Sequence, residues 1–318
     1  MQSDQRRLRV GVFGVGSLGQ WHARIYSELP QTELCGVYDA DPEQARTIAG
    51  RYGTRAFDSI EALAETIEAA SIVVPTHLHC EVSLPLIRHG LHVLIEKPLA
   101  ASLEEAETLV TESERAGIVL QVGHVERFNP VMAYLETHLT RPRFIEAMRL
   151  APYPPPRPGL HPRGTEVGVI LDLMIHDLEI IQHLVRSPVC DIHAIGVPVL
   201  SAQEDIANAR LLFENGCVAN VTASRVSRER LRKIRVFQSD AYVSLDYQEQ
   251  CGQITRKAAE GIETVAVPIE KGEPLLRELQ AFSDCVLEGR KPLVGGRQAL
   301  DSLQLAAAIR HCIREGGS

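Results

Sequence analysis

The sequence predicts an α/β protein with two domains: a doubly wound parallel sheet, followed by a domain built on an open, mainly antiparallel sheet. Three observations lead there. The length of 318 residues suggests roughly two domains. Strand and helix patterns alternate over the first 123 residues, and strand patterns follow one another in the second half. We therefore predict domains at 1–123 and 124–318, with the boundary near Gly123.

The composition excludes several classes of protein. The 33 Lys and Arg against 41 Asp and Glu give a net charge of −8, which argues against a nucleic-acid-coating protein. The fractions of 23% charged and 45% hydrophobic residues are those of a globular chain. The apolar runs are too short for a membrane span, and the first residues lack the apolar core of a signal peptide. We expect a soluble, cytoplasmic protein without a nucleic-acid or membrane partner.

The cysteines and histidines do not indicate a metal site. The 7 cysteines are scattered without a Cys-x-x-Cys pair, and the 12 histidines contain no HExxH. His77 and His79 form a single His-x-His that has no acidic or cysteine partner at helical spacing. We expect reduced cysteines and no bound metal.

The first half alternates between short apolar runs and amphipathic segments. The predicted strands are 8–13, 33–38, 70–74, 92–95 and 118–122. A helix is predicted over 17–29, and Asp41-Pro42 opens the next as N-cap and first residue. Ser102 and Glu105 form a capping box for a helix that ends at Gly117.

A proline-rich loop, 151–164, separates the two patterns. A helix is predicted over 167–185 and two closing helices over 273–288 and 297–315. The predicted strands between them are 189–200, 206–213, 217–226, 232–238, 242–248, 252–257 and 263–269. Asn215-Gly216 predicts a hairpin turn, and strands in direct succession favour antiparallel pairing.

A glycine-rich loop follows the first predicted strand and opens the first predicted helix. Its residues are Gly14, Gly16, Ser17, Leu18 and Gly19, in the pattern G-x-G-x-x-G. The first glycine permits the tight turn, the second allows close approach of a pyrophosphate, and the third allows close packing of helix and strand. This context predicts a Rossmann dinucleotide-binding site.

Asp39 ends the second predicted strand, 20 residues after Gly19. A carboxylate there accepts a hydrogen bond from the ribose 2′-hydroxyl and repels a 2′-phosphate. We therefore predict NAD as the cofactor rather than NADP. The alternative is that Asp39 only caps a loop, although Asp41 is the more obvious cap.

Two further segments carry residues suited to acid–base chemistry. Lys97, in Glu96-Lys97-Pro98, follows a parallel strand, where α/β proteins bind ligands. Asp172 and His176 stand four residues apart in a predicted helix, so both point to one face. An inward histidine with an aspartate one turn away is a candidate base with an orienting acid.

These motifs together resemble the Gfo/Idh/MocA family of NAD(P)-dependent sugar dehydrogenases. Besides the glycine loop and Glu96-Lys97-Pro98, the resemblance lies in GHVERFNP at 123–130 and DLMIHD at 172–177, in family order. It implies catalysis by Lys97, acid–base chemistry by His176 and substrate binding by Asp172. It also implies cofactor contacts from Pro75, Thr76, His79, Glu96 and Lys97, and an oligomer interface on the second sheet.

Within the family the likeness is closer to members that oxidise the 3-hydroxyl of UDP-N-acetylglucosamine. This closer likeness rests on the segments at residues 123–130, 169–177, 223–228 and 232–238. It implies a 3-keto nucleotide sugar as product, an aminotransferase as the next enzyme, a place in lipid A biosynthesis, and a homodimer or homotetramer. The alternatives are an inositol or free-sugar dehydrogenase and a non-catalytic dinucleotide-binding sensor.

Two questions stay open at this point. Either His176 or Lys97 could be the base, since a desolvated lysine can lose its proton. The second concerns the basic cluster of Arg225, Arg228, Arg230, Arg232, Lys233 and Arg235, which could bind a diphosphate or form a solvated strand pair.

Overall fold

A computed structural model describes residues 6–155, 167–259 and 261–316. The chain divides into two compact units, 1–128 with 273–300 and 129–272 with 301–318. It leaves the first unit after Phe128, near the predicted boundary at Gly123, but returns to that unit at Glu273. Most of the proline-rich loop, residues 156–166, lies outside the described residues.

The first unit contains a six-stranded sheet in which every pair is parallel, in the order β3-β2-β1-β4-β5-β6. The strands are β1 (Leu8–Phe13), β2 (Thr32–Tyr38), β3 (Arg55–Ala56), β4 (Ala69–Ile72), β5 (His92–Glu96) and β6 (Leu120–Gly123). The strand order reverses between β1 and β4, which makes their carboxyl ends the expected ligand position. The predicted doubly wound fold is confirmed.

Local sequence signals explain where the helices of this unit begin and end. The helices are α1 (Gly19–Glu28), α2 (Pro42–Tyr52), α3 (Ile60–Ala64), α4 (His79–Arg88) and α5 (Leu103–Ala116). The Asp41 side chain accepts from the Glu43 amide, and the Ser102 side chain accepts from the Glu105 amide. Gly117 ends α5 with φ +67°, a left-handed conformation that glycine adopts at low cost. The predicted caps are therefore confirmed.

The helix α8 (Pro274–Glu288) belongs to the first unit although it lies far along the chain. Its side chains Leu279 and Phe282 are fully buried in one core with Val10 and Val12 of β1. Apolar burial of this size contributes on the order of 2 kcal/mol per side chain. No local sequence pattern indicates that the chain comes back to the first unit at α8.

The second unit contains an eight-stranded sheet in the order β14-β13-β12-β11-β7-β10-β9-β8. The strands are β7 (Phe144–Leu150), β8 (Val189–Val197), β9 (Ile206–Phe213), β10 (Val218–Ser224), β11 (Leu231–Phe237), β12 (Ala241–Asp246), β13 (Cys251–Ala258) and β14 (Gly261–Ala266). Adjacent strands are antiparallel except β7 and β10. The predicted, mainly antiparallel sheet is confirmed, but β7 near its centre was not predicted.

Three more helices lie in the described part of the chain: α6 (Pro130–His138), α7 (Ile175–Val185) and α9 (Gly296–Arg314). The boundary between the units lies inside α9. A π-helical turn, Ile170–Met174, leads into α7 and packs against β10. The predicted helix over 167–185 thus has an irregular first half. Across the described ranges we find no helix with the length and apolarity needed to cross a membrane.

Candidate active site

The glycine loop has the geometry that a dinucleotide pyrophosphate requires. Gly14 has φ +84°, and a Cβ atom there would lie 2.6 Å from the Val73 carbonyl oxygen. A Cβ at Gly19 would overlap the carbonyl oxygen of Gly14, whereas the space beside Gly16 is open. No side chain caps α1 at Leu18, and its first turn lacks acidic residues, so the positive end of the helix dipole is available to an anion. The residues present therefore fit a bound NAD.

Asp39 lies directly beside this loop. Its Oδ2 accepts from the Val15 amide at 2.7 Å, and its Oδ1 accepts from the Asp41 amide at 3.0 Å. The carboxylate thus holds the turn after β2 and also contacts Val15 of the glycine loop. This is the position that a ribose-binding acid needs, because the acceptor must be held near the pyrophosphate loop.

Glu96 and Lys97 follow β5 at the same carboxyl edge of the sheet. The Glu96 side chain is only 10% exposed, and its Oε2 accepts from the Lys97 amide at 3.3 Å. It lies over Gly123 of β6, where a Cβ atom would come within 2.8 Å of Oε1. Lys97 itself is partly exposed. The cofactor contact predicted for Glu96 stays a prediction, since its carboxylate is directed into the unit.

The loop after β4 holds the other predicted cofactor residues. Pro75 is exposed and Thr76 is partly exposed in a short 3-10 turn. His79 is 1% exposed, and its ring nitrogens lie 2.9 and 3.0 Å from the carbonyl oxygens of Pro98 and Val74. His79 thus links the loop after β4 to the segment that follows Lys97 through these two contacts. Its predicted place beside the nicotinamide stays a prediction.

His124 is a buried histidine near Lys97 that the sequence did not single out as a site residue. Burial, and then the positive charges of Lys97 and Arg127, lower the pKa of His124 to about 3. The ring is therefore a neutral imidazole at physiological pH. A neutral neighbour adds no repulsion to the ammonium group of Lys97.

Glu278 of α8 is a second buried group that the sequence did not reveal. It is fully buried, and its carboxyl oxygens have no hydrogen-bond partner within the described ranges. Burial, and then the negative charges of Glu96 and Glu126, raise the pKa of Glu278 well above its usual value. The protonated form of Glu278 is therefore favoured more strongly in the folded protein than in the unfolded chain.

Replacing Glu278 by glutamine should change how stability depends on pH. In the wild type, the stability associated with this carboxyl is complete below its unfolded pKa and is lost as the pH rises toward its higher folded pKa. From about pH 5 to about pH 8, the free energy of unfolding of Glu278→Gln should gain at least about 1 kcal/mol relative to wild type. Urea unfolding measures this gain, with the exposed Glu107→Gln as control. An equal difference at both pH values would contradict the assignment.

The second unit holds Asp172 and His176. Asp172 is partly exposed within the π-helical turn, and His176 is 9% exposed at the start of α7. The predicted i,i+4 relation therefore spans a π-helical turn rather than a regular α-helix. Such turns frequently occur at functional sites because they redirect side chains.

A buried ion pair fixes the helix beside His176. Arg149 of β7 donates from Nε to Asp177 Oδ2 at 2.9 Å and from Nη2 to Oδ1 at 3.1 Å. Their side chains are 3% and 2% exposed. This bidentate pair joins α7 to the centre of the sheet. The pair was not predicted, because Arg149 lies in β7, the strand that the sequence did not indicate.

The basic cluster is not a continuous free surface. Arg225 is buried. It donates from Nε to Asp205 at 2.8 Å and from Nη1 to the Val167 carbonyl oxygen at 2.8 Å. Arg235 pairs with Glu146 on the adjacent strand. Arg225 is therefore a structural residue that supports the start of the helical segment. Among the residues with described positions, no three His, Cys, Asp or Glu side chains are grouped to hold a metal.

The six-stranded parallel sheet and its glycine loop have the form of a Rossmann dinucleotide-binding unit. Residues 8–124 match the oxidoreductase family GFO/IDH/MocA with its NAD-binding Rossmann fold, and residues 135–244 match the GFO/IDH/MocA C-terminal domain. The chain belongs to the GFO/IDH/MocA family and is an NAD-dependent oxidoreductase.

Relatives are similar to the chain over nearly its whole length. UDP-N-acetylglucosamine 3-dehydrogenase of Acidithiobacillus ferrooxidans is 36% identical over 95% of this chain and 97% of its own. A solved structure of that enzyme has a TM-score of 0.91 at 35% identity, covering 97% and 98% of the two chains. The scyllo-inositol 2-dehydrogenase (NAD(+)) of Bacillus subtilis is 26% identical, over 98% and 96%. Levoglucosan dehydrogenase with NADH and levoglucosan has a TM-score of 0.89 at 20% identity over 98% of each chain and shares the fold.

Proposed function

We propose that this protein oxidises the 3-hydroxyl of UDP-N-acetylglucosamine with NAD, giving the 3-keto nucleotide sugar and NADH. The observation that carries the proposal is the likeness to UDP-N-acetylglucosamine 3-dehydrogenase, at 36% identity over 95% of the chain. The open space at Gly16 and the fixed carboxylate of Asp39 support the cofactor part. The inositol dehydrogenases among the relatives, at 26% and 24% identity, make inositol oxidation the second candidate.

The proposed chemistry needs the removal of a proton from oxygen and a hydride from carbon. NAD, when bound, would supply the hydride acceptor. In our proposal Asp172 holds the sugar, and Lys97 and His176 share the stabilisation of the alkoxide and the acceptance of the proton. Two arrangements account for the proton that leaves the hydroxyl. In the first, His176 is the base and a cationic Lys97 stabilises the alkoxide. In the second, a neutral Lys97 is the base.

The assembly and the next reaction are also part of the proposal. We propose a homodimer or homotetramer formed through the outer face of the second sheet, where Ile195 is 64% and Leu212 is 39% exposed. A 3-keto sugar is the substrate class of an aminotransferase, which would deliver a 3-amino sugar to lipid A biosynthesis.

The deciding experiment measures NADH absorbance with purified protein, NAD and a panel of alcohols. The panel contains UDP-N-acetylglucosamine, N-acetylglucosamine, myo-inositol and scyllo-inositol, each also tested with NADP. We expect kcat/KM for the nucleotide sugar to exceed that for either inositol at least about 100-fold. An inositol lacks the groups that a nucleotide-sugar site binds, so polar groups of the site would be left unpaired. Deuterium at C3 of the sugar should appear in NADH.

Other results of this screen would favour the alternatives. Turnover of an inositol alone would favour the inositol dehydrogenase. Transfer of deuterium from a carbon other than C3 would reject the proposed position. NAD binding without turnover of any alcohol would favour the sensor.

A further inference from the structure

A buried series of polar side chains in the first unit ends at the backbone of Lys97. The Tyr26 hydroxyl lies 2.9 Å from Ser71 Oγ, and Ser71 Oγ lies 3.2 Å from Nδ1 of His22. On the other side of the ring, Nε2 of His22 lies 3.3 Å from Glu96 Oε1. Glu96 in turn accepts from the Lys97 amide through Oε2 at 3.3 Å. His22 therefore stands between β4 and the end of β5.

The imidazole of His22 makes an electrostatic contact with Glu96. The ring is 0% exposed, so solvent does not compete for its nitrogens. The contact with Oε1 is at ion-pair distance but lacks the alignment of a hydrogen bond. Inside a protein the effective dielectric constant is low, so such a contact is stronger than at the surface.

The surroundings of Glu96 make this contact important for its orientation. Glu126 and Glu278 also lie near the Glu96 carboxylate, and their mutual influence is repulsive when they are charged. A Cβ atom at Gly123 would collide with the same carboxylate, so its present position depends on that glycine. The ring nitrogen of His22, 3.3 Å from Oε1, is a neighbour that can attract the carboxylate.

His22 also connects two functional segments. It lies in the first turn of α1, whose amino end forms part of the glycine loop. We propose that His22 is a positioning residue: its imidazole holds the Glu96 carboxylate, which holds the backbone of Lys97 in the geometry that catalysis needs. This inference rests on the proposed function, in which Lys97 acts on the substrate oxygen.

The test compares His22→Phe with His22→Gln. Phenylalanine fills a similar volume without a polar atom, and we expect it to lower kcat about tenfold or more, since small displacements of catalytic groups are costly. The dissociation constant for NAD should stay within about twofold, because the glycine loop is retained. Glutamine can place its amide nitrogen near Glu96 and should recover at least about half of the lost kcat.

The matched control is His92→Phe, at the opposite end of β5. His92 Nδ1 accepts from the Val119 amide at 2.9 Å, so this variant also loses a histidine hydrogen bond in the same unit. It should lose stability without a loss of kcat. An equal loss of kcat in both variants, or wild-type kcat in His22→Phe, would overturn the inference.

A measurement without substrate separates this inference from the proposed function. Hydrogen exchange at the Lys97 amide should be about tenfold faster in His22→Phe than in wild type, because its Glu96 acceptor is released. Unchanged exchange would overturn the positioning role, whatever the enzyme oxidises. Absence of turnover in wild type would reject the proposed function, and the exchange rate would still decide the role of His22.

Discussion

Replacing Lys97 by alanine is expected to lower kcat at least about tenfold while NAD binding survives. Lys97 follows β5 at the carboxyl edge of the sheet, and its side chain is partly exposed there. Loss of the ammonium group removes a donor that stabilises the developing alkoxide, whereas the glycine loop and Asp39 stay intact. Steady-state kinetics and NAD titration measure the two effects separately.

His176→Ala is expected to lower kcat by a similar factor, again at least about tenfold. If His176 is the base, we expect wild-type kcat to decrease at low pH and this decrease to disappear in His176→Ala, as the pH profiles of kcat would show. If that decrease persists in His176→Ala and disappears in Lys97→Ala, Lys97 is the base.

Two exposed residues provide the matched controls for these substitutions. Lys271→Ala and His311→Ala change residues at the surface, far in sequence from the predicted site, and should keep wild-type kcat. Near-normal turnover in Lys97→Ala or His176→Ala would reject the corresponding assignment.

Replacing Arg149 by methionine is expected to cost about 3–5 kcal/mol in the free energy of unfolding. The substitution leaves Asp177 as a buried charge without its bidentate partner, and Asp177 is only 2% exposed. Because Asp177 follows His176 directly in α7, kcat should fall as well. Urea unfolding measures the stability, and Arg149→Lys should show a smaller loss because it retains the charge.

A double variant distinguishes the loss of the pair from loss of packing. Arg149→Met with Asp177→Leu removes both charges and should recover most of the lost stability. The matched surface control is Arg256→Met, which breaks an exposed pair with Glu263 and should leave stability nearly unchanged. A small effect of Arg149→Met alone would show that the buried pair is not a major constraint on α7.

Elements with a local signal were predictable from the sequence. Asp41, Ser102 and Gly117 cap their helices as expected, and Gly216 adopts φ +80° in the hairpin between β9 and β10. Each of these signals acts through hydrogen bonds or backbone angles within a few residues. Neighbours in the sequence are therefore sufficient to identify them.

Elements defined by distant contacts were not predictable in the same way. The strand β7 alternates between buried and half-buried residues, but its half-buried positions include Phe144, Met148 and Leu150, so the alternation of polar and apolar residues is hidden. The strand lies between β10 and β11, whose sequences lie about 70 to 90 residues further along. Its place in the sheet depends on that pairing.

The candidate site shows the same division. The positions of Gly14, Asp39 and Lys97 at strand ends were readable because each follows an apolar run. The raised pKa of Glu278 was not predictable, since it arises from burial and from the charges of Glu96 and Glu126, which lie more than 150 residues away in the chain. Likewise, the π-helical turn before His176 interrupts a pattern that periodicity alone interprets as a regular helix.

The sequence by itself determined the class of fold, five of the six strands of the parallel sheet, and the glycine loop that follows the first of them; the two-residue strand β3 and the helices α3 and α4 were not predicted. Only the tertiary structure decided that α8 returns to the first core, that Arg149 and Asp177 form a buried pair, and that His22 lies against Glu96. The reason is physical. Caps, turns and periodicity are local properties, whereas burial, the pairing of buried charges and pKa shifts depend on groups that folding brings together from distant parts of the chain.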